Sequence, residues 1–475
     1  MQRNEKVTQE NVYQKIRSLS PLDKPEYRQF DGIAFARLFS DVFGVYLRYN
    51  VTSKCYMAYD GTKWVQDYEN MITDSYSKMF ARSLARYAYE HEDAPKDFIK
   101  MCQGYGEYNK RRILTVDARS YNPITNSDLD TQPYLLNCLN GILDLKNMKL
   151  IPHDSKLLLS KQACFNFDPS AQSQTFISFM DEIMQGDTEK IRYIQTLLGS
   201  SMLGENTAEE FYIFFGSTTR NGKTTLLGTV QYLLGDYACS IKPESLAQTK
   251  ETNGRTASGD IARLDGIRFL HCTEPPKRMK LNVELLKGLT GGDVITARHL
   301  YERDFDFVPV FQLFMNTNYL PVVLDNSLFT SGRVKIITFN RHFEPHEQDT
   351  RLKMKLRSSE NLSGIANWLL DGLKIYHEQK DRYIVPESVK MATADYMEKS
   401  DKLKTFIADR LTEDAKGVIT AKTAYDEYSQ WCRENGYGIE NKRNFMDDLR
   451  SKNLLSEYGT IGGRTVRNVI TGYSF

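Results

Sequence analysis

The segment FYIFFGSTTRNGKTT, residues 211–225, has the residue types and spacing to hold a phosphate chain. Five strand-forming residues, Phe211 to Phe215, run into a polar turn that ends Asn221-Gly222-Lys223-Thr224-Thr225, and a helical pattern, TTLLGTVQYLL, follows. Strand, glycine-bearing loop and helix in that order make a P-loop. Free backbone N–H groups at the helix start cradle the anion, a lysine reaches the outer phosphates and a hydroxyl holds Mg²⁺. Lys223 and Thr224 take the last two roles, and Gly216, Ser217, Asn221, Gly222 and Thr225 line the loop. The usual pattern has four residues between the first glycine and Gly-Lys-Thr, but five (217–221) separate Gly216 from Gly222. Either Ser217 occupies the glycine position or the loop carries one extra residue. A strand–turn–helix that binds no nucleotide is the alternative reading.

Three further segments carry chemistry. IRFLHCTE, residues 267–274, is a hydrophobic strand pattern ending in Glu274, a carboxylate able to polarise a water or help hold Mg²⁺ through water. Thr273 stands where a second acid usually makes the metal contact, and a strand leaving the core before Pro275-Pro276 explains the same letters. FQLFMNTN ends with Asn316 and Asn318, which a period of two puts on one face. Either amide can contact the γ-phosphate or an attacking water; an Asn-rich turn before Pro321 is the competing account. SGRVKIITF starts a strand with Arg333. A guanidinium there is either a surface group or an arginine finger on a neighbouring subunit's ATP, worth about 10³–10⁵ in rate where such fingers operate.

The elements that must position these residues lie in a chain of 475 residues, long enough for two to four domains at about 150 residues each. Hydrophobic content of 41% and charged content of 26% fit a soluble globular protein, and the absence of a long apolar run or signal-peptide core predicts no membrane span and a cytoplasmic location. Seven cysteines without a CxxC pair predict reduced thiols, neither a disulfide frame nor a zinc site. A net charge of +1 requires any nucleic-acid surface to be local.

Residues 1–30 read as a polar helical arm inside a mixed N-terminal domain, 1–165. There DGIAFARLFSDVFGVYLRY is amphipathic helix, CYMAYDGTKWVQD is a hairpin turning at Asp60-Gly61, a helical stretch runs to about 113, and LLNCLNGILDLKNMKLIPHD is short strands. A helical lead at 173–204 opens the ATPase domain, 166–385, whose α/β block covers about 210–340. Pro386 marks the last boundary. Beyond it the pattern is helix (about 398–414), the short strand GVI, helix from Thr420 to Glu434, helix over about 440–452 and a hairpin across GTIGG, the order of a winged helix-turn-helix.

The ordered series GSTTRNGKTT, LDGIRFLHCTEP, LKGLTGGDVITARHLY, FMNTNYLP and GRVKIITF resembles superfamily 3 helicases. Within them it is most similar to the phage/plasmid and poxvirus-type primase–helicase family, with the resemblance extending over about 31–475. The fold it implies is α/β: an AAA+ P-loop ATPase core with an α+β N-terminal domain and a C-terminal winged helix-turn-helix. It implies ATP and Mg²⁺ as cofactors, bound between the subunits of a homo-hexameric ring. Lys223 and Thr224 are assigned to ATP and Mg²⁺, Glu274 to catalysis and metal, Asn318 to γ-phosphate sensing with Asn316 as second candidate, and Arg333 to the trans finger.

In such a family TGGDVITARHLYERDFDFVPV is a hairpin entering the central channel, turning at Tyr301-Glu302-Arg303-Asp304. Lys287, Arg298, His299 and Arg303 are its candidates for single-stranded and forked DNA, opposed by the acids at the tip; a solvated charged turn is the alternative. Lys442, Arg443 and Asn444 open the presumptive recognition helix NKRNFMDDLRSK, and Arg464 and Arg467 sit on the wing, as candidates for origin duplex DNA. Asp447 and Asp448 on that helix also suit a protein-docking role. The Asp-x-Asp at Asp128-Leu129-Asp130 lies in the polar loop NPITNSDLDTQP and reads as turn chemistry, which assigns any primase to a separate polypeptide. The expected activity is an ATP-driven replicative DNA helicase of a mobile element such as a phage satellite, pathogenicity island or prophage. The competing readings are an initiator that uses ATP as an assembly switch and, below it, a small-molecule P-loop kinase.

Overall fold

Apolar residues at helical spacing and short alternating runs alternate along the first third of the chain. The computed structural model describes residues 7–91, 93–206, 208–248, 259–277, 279–298, 304–323, 327–435 and 437–475. At the start, α1 (Gln9–Leu19) is begun by the Thr8 side chain, which accepts from the Asn11 N–H. It is not a free arm. Val12, Tyr13 and Ile16 form an apolar stripe in an otherwise polar run and are buried in a core shared with α2 (Gly32–Phe43). The strands β1 (Leu47–Asn50), β2 (Cys55–Tyr59) and β3 (Trp64–Gln66) form an antiparallel meander, with the β2–β3 turn at Asp60 and Gly61 (φ 103°) as expected. Helices α3 (Met71–Glu90), α4 (Lys96–Gly104) and α5 (Tyr108–Asp117) complete the unit around Phe35, Phe39, Phe80 and Phe98.

A second meander, β4 (Leu135–Cys138), β5 (Gly141–Asp144) and β6 (Lys149–Ile151), connects to the centre of the molecule. Before it, Asp128 closes a capping box with Thr125, whereas the Asp130 carboxylate accepts from the Ser160 N–H at 2.9 Å, 30 positions on, and pairs with Lys161, so only the first of the two acids does turn chemistry. The helical lead is two helices, α6 (Gln174–Met184) and α7 (Thr188–Ser200), parted by Gln185 and Gly186 in left-handed conformation.

The central unit runs β7 (Phe211–Phe215), α8 (Lys223–Leu234), β8 (Ala238–Ile241), α9 (Gly259–Ala262), β9 (Phe269–Cys272), α10 (Val283–Thr290), β10 (Ile295–Ala297), β11 (Phe305–Phe307), β12 (Gln312–Thr317), α11 (Ser327–Thr330) and β13 (Val334–Thr338). Among the described residues five strands form a parallel sheet in the order β13-β7-β12-β9-β8, with Phe211 paired to both Leu313 and Val334. Tyr212, Phe214, Phe269, Phe314 and Ile337 face one core, and Phe211, Ile213, Leu270, Leu313 and Ile336 the other. Coverage of both faces explains why these strands read as continuous apolar runs. β8, with two buried residues in four, has no such run and escaped the sequence reading.

Downstream, α12 (Leu352–Leu356) and α13 (Ser359–Glu378) pack on α8 and α7. Then come α14 (Glu387–Ser400), α15 (Lys402–Arg410), β14 (Thr412–Thr420), α16 (Ala421–Glu434), α17 (Lys442–Ser451), β15 (Leu455–Ile461) and β16 (Arg464–Ser474), with sheet order β14-β16-β15. Two details differ from expectation. The helix at 398–414 is broken at Asp401, whose side chain caps α15 by accepting from the Lys404 N–H, and GVI belongs to a nine-residue strand.

The α7–α13 crossing is the tightest constraint on this scaffold. A Cβ on Gly199 would lie 2.3 Å from the Leu369 carbonyl oxygen, and one on Gly372 would lie 2.0 Å from that of Gln195. Gly372→Ala is expected to cost about 1–3 kcal/mol of stability by forcing the helices apart, read as a lower thermal midpoint; Gly32→Ala, with nothing within 4 Å among the described residues, serves as the control. Equal midpoints would refute the crossing as a constraint.

Candidate active site

β7 delivers its loop to the C-terminal edge of the sheet, between β13 and β12, where open α/β sheets bind ligands. The Gly216 N–H donates to the Thr317 carbonyl at 3.2 Å. A Cβ on Gly216 would lie 2.2 Å from Asn221 Nδ2 and 2.9 Å from Lys223 Nζ, so this glycine is what lets the lysine fold back over the loop. Five residues, 217–221, lie between this glycine and Gly222, and Ser217 is exposed among them. Arg220 is in left-handed conformation (φ 58°), and Asn221 Nδ2 donates to the Thr218 carbonyl at 2.7 Å. From behind, His342 Nδ1 lies 2.8 Å from the Thr219 carbonyl oxygen and the Phe343 N–H donates to that of Arg220 at 2.9 Å. Gly222 (φ 85°) starts α8, and a Cβ there would lie 2.4 Å from Ile183 Cγ2. Among the described residues no side chain caps this helix, which leaves its first-turn N–H groups available to an anion.

Lys223 is 4% exposed, and its Nζ donates to Asn221 Oδ1 and Asn318 Oδ1, both at 2.9 Å. Among the described residues no carboxylate pairs with it. Burial lowers its pKa to about 8, with the charge of Glu274 acting in the opposite sense. Asn316, 1% exposed, donates through Nδ2 to Thr224 Oγ1 at 3.0 Å and accepts from the Glu274 N–H at 3.1 Å. The two asparagines thus have separate places: Asn318 on the lysine, Asn316 as a brace between Thr224 and the Glu274 backbone. Thr224 and Glu274 are exposed, and half-buried Thr225 offers its carbonyl to Thr229 Oγ1 at 2.8 Å. Behind them His271 is buried in β9, where burial lowers its pKa to about 4 and keeps the ring neutral near pH 7. The convergence of a sheltered cation, open helix N–H groups, a braced hydroxyl and an exposed carboxylate fits a phosphoanhydride and its metal.

Arg333 is elsewhere. It precedes β13, which spans five residues in parallel register with β7, so about 17 Å of strand separates it from the loop edge. Its Nη1 donates to Thr290 Oγ1 at 3.0 Å and to the Lys287 carbonyl at 3.4 Å, and Nη2 pairs with Glu209. Lys287 Nζ donates to Ser327 Oγ at 2.5 Å, at the foot of the β10–β11 hairpin. At its other end Arg298 is exposed and lies 3.7 Å from Asp304, while His299 and Arg303 fall outside the described residues. Lys442, Arg443 and Asn444 are exposed in the first turn of α17, capped by Asn441. Arg464 and Arg467 are exposed on β16, the latter over the Tyr458 ring. Glu209, Thr290, Ile183 and the 339–343 segment were not anticipated. Each acts across strands or helices distant in sequence, so no local pattern marks it.

A folded-state pKa near 8 against about 10.4 in the unfolded chain means that the unfolded state holds the Lys223 proton more tightly between those values. Burying the charged form costs stability below pH 8, and this cost is relieved as pH rises toward 10. Compared with Lys223→Met, the unliganded wild type should gain on the order of 3 kcal/mol between pH 7 and 10, measured by urea unfolding. A constant difference would refute the burial of a charged lysine.

Comparison with known proteins adds a second line. Residues 36–185 match the family described as D5 N terminal like, and residues 398–459 the one described as Poxvirus D5 protein-like. The chain is 30% identical over 340 residues to the putative helicase L207/L206 of Acanthamoeba polyphaga mimivirus, covering 67% of this chain and 35% of that one. It is 26% identical over 265 residues to the putative helicase 022R of Frog virus 3 (isolate Goorha), covering 51% and 26%. With the putative primase C962R of African swine fever virus (isolate Tick/Malawi/Lil 20-1/1983) it shares 23% identity over 355 residues, covering 70% and 36%. The chain spans about a third of the length of the curated relatives it matches. Among solved structures, the A form apo structure of the NrS-1 C terminal region shares its fold with a TM-score of 0.51 at 11% identity, covering 90% of this chain and 96% of that one. The chain therefore carries two D5-type segments and has putative helicases and primases of large DNA viruses as its relatives.

Proposed function

We propose that this chain is the AAA+ motor of an ATP-dependent replicative DNA helicase of a mobile genetic element, working as a homo-hexameric ring on single-stranded DNA. The observation that carries the reading is Lys223, a buried ammonium held by two amide oxygens with Thr224, Asn316, Asn318 and Glu274 around it. Such a cation lacks only an anion, and the strand-end position suits the outer phosphates of ATP. The names of the relatives support the same direction.

In this mechanism Lys223 and the open N–H groups of α8 hold the β- and γ-phosphates. Asn316 donates to Thr224 Oγ1, which leaves the hydroxyl one lone pair with which Thr224 would hold Mg²⁺, and that ion would supply charge to offset the phosphate oxygens. Glu274 polarises the attacking water, and Asn318, whose Oδ1 accepts from Lys223, donates through Nδ2 to the γ-phosphate. Arg333 cannot reach its own loop across the sheet, so its role is on the ATP of a neighbouring copy, where it offsets charge that develops in the transition state. The β10–β11 hairpin follows the strand backbone, and residues 386–475, read as a winged helix, hold duplex DNA at the origin. Thr273 in place of a second acid and the Arg298–Asp304 pair favour the second reading, an initiator that uses ATP as an assembly switch.

On a forked duplex with ATP and Mg²⁺, wild type should separate the strands, Lys223→Ala should not, and Arg333→Ala should lose about 10³–10⁵ in turnover. ATP-dependent assembly without strand separation would replace the helicase by the switch. MgATP affinity should be level up to pH 8 and then weaken toward tenfold per unit, because binding restores the Lys223 proton. A level profile to pH 9.5 would argue against contact between Lys223 and phosphate. For the C-terminal unit, Lys442→Ala and Arg443→Ala should each lower the salt slope of duplex binding by about one; unchanged slopes would exclude that helix from the DNA.

A further inference from the structure

The N-terminal edge of the sheet carries paired charge that nucleotide binding at the opposite edge does not use. Glu209 and Glu210 stand directly before β7, Arg333 and Lys335 at the start of β13, and the pairing of Phe211 with Val334 sets them side by side. Glu210 pairs with Lys335 at 3.0 Å, and Glu209 with Arg333. The second pair is asymmetric: the Arg333 side chain is 15% exposed and that of Glu209 is 59% exposed. The guanidinium is seated at the C-terminal end of α10, the end at which a helix favours a cation, on the Lys287 carbonyl and Thr290 Oγ1. The Thr290 hydroxyl in turn donates to the Leu286 carbonyl at 2.8 Å. One side of the guanidinium is fixed by this helix, and among the described residues the contact on its other side is a carboxylate reaching in from solvent.

We propose that Glu209 is a positioning residue that occupies the outward side of Arg333 in the separate chain and is displaced by the phosphate of a neighbouring copy's nucleotide when the ring closes. The proposal rests on the reading of Arg333 as a trans finger. A solvated carboxylate in a surface ion pair is a weak competitor, and a terminal phosphate with more charge and several acceptor oxygens outcompetes it once within reach. Glu209 then sets the threshold for productive assembly without touching the reacting atoms, while α10 keeps the finger aimed in both states. It also holds an unengaged arginine away from other anions.

The test is ATP turnover per chain as a function of protein concentration, for wild type, Glu209→Gln, Arg333→Ala and the double variant, at low and high salt. Glu209→Gln should reach half-maximal turnover at a protein concentration about two- to fivefold lower, the range of a surface ion pair, with an unchanged plateau. The shift should shrink at high salt; in the Arg333→Ala background, where turnover is lost, the midpoint of ATP-dependent assembly read by light scattering should not move on Glu209→Gln. An unchanged turnover midpoint, a lowered plateau, or an assembly midpoint that Glu209→Gln moves even without Arg333 would overturn the proposal. Full turnover by Arg333→Ala would instead remove the finger reading itself, which separates the two failures. Melting curves of Glu209→Gln check that the fold is intact, as the exposure of this side chain leads one to expect.

Discussion

The ammonium of Lys223 places two of its three hydrogen bonds on amide oxygens while its charge is left uncompensated by a close carboxylate among the described residues, and the surrounding architecture depends on that imbalance. Amides are dipoles: they relieve the loss of water without neutralising the site. A carboxylate in place of Asn318 or Asn221 would make the unliganded fold more comfortable and the site useless to an anion. The glycines at 216 and 222 follow from the same demand, because the lysine must lie against the loop backbone and the loop against Ile183, and a Cβ fits in neither gap. The scaffold thus tolerates a local cost so that a ligand can relieve it.

That cost is carried by a rigid surround. Both faces of the parallel sheet are covered by continuous apolar clusters, which hold the ends of β7, β9 and β12 in one register. Asn316 then acts as a strut: being almost wholly buried, it cannot swing to solvent, and so it ties the start of α8 to the end of β9. Any displacement of Thr224 must be felt at the Glu274 backbone. The loop escapes the same rigidity on its outer side, where residues 217–220 are exposed and are held from behind by His342 and Phe343.

Much of this was legible in the sequence because it is written locally. FYIFF, FLHC and QLFMNT declare strands through unbroken apolar runs, and Gly-Lys-Thr after the first of them declares the loop. Asn316 and Asn318 were visible as a pair through period two, but not which would face Lys223, since that depends on how β12 sits beside β7. The close packing of Gly216 was hidden for a similar reason, because the approach of Lys223 Nζ to it is a matter of three-dimensional space. The polar look of residues 1–30 concealed α1, whose three buried residues are a minority in the run. Glu209 and Arg333, 124 positions apart, meet only through the strand pairing.

The separation of Lys223 and Arg333 across the length of one sheet has a consequence for how relatives of this chain would be compared. Within one molecule the two residues share no neighbour and no packing constraint, so each is free to drift alone. If the edges of adjacent copies meet around one nucleotide, the residues become mutual neighbours under joint selection, and their substitutions would be correlated. Such a correlation, found in a set of related sequences, would look like an error against the single chain. It would in fact be a record of the assembly, written in the one-dimensional sequence and readable without any complex in hand.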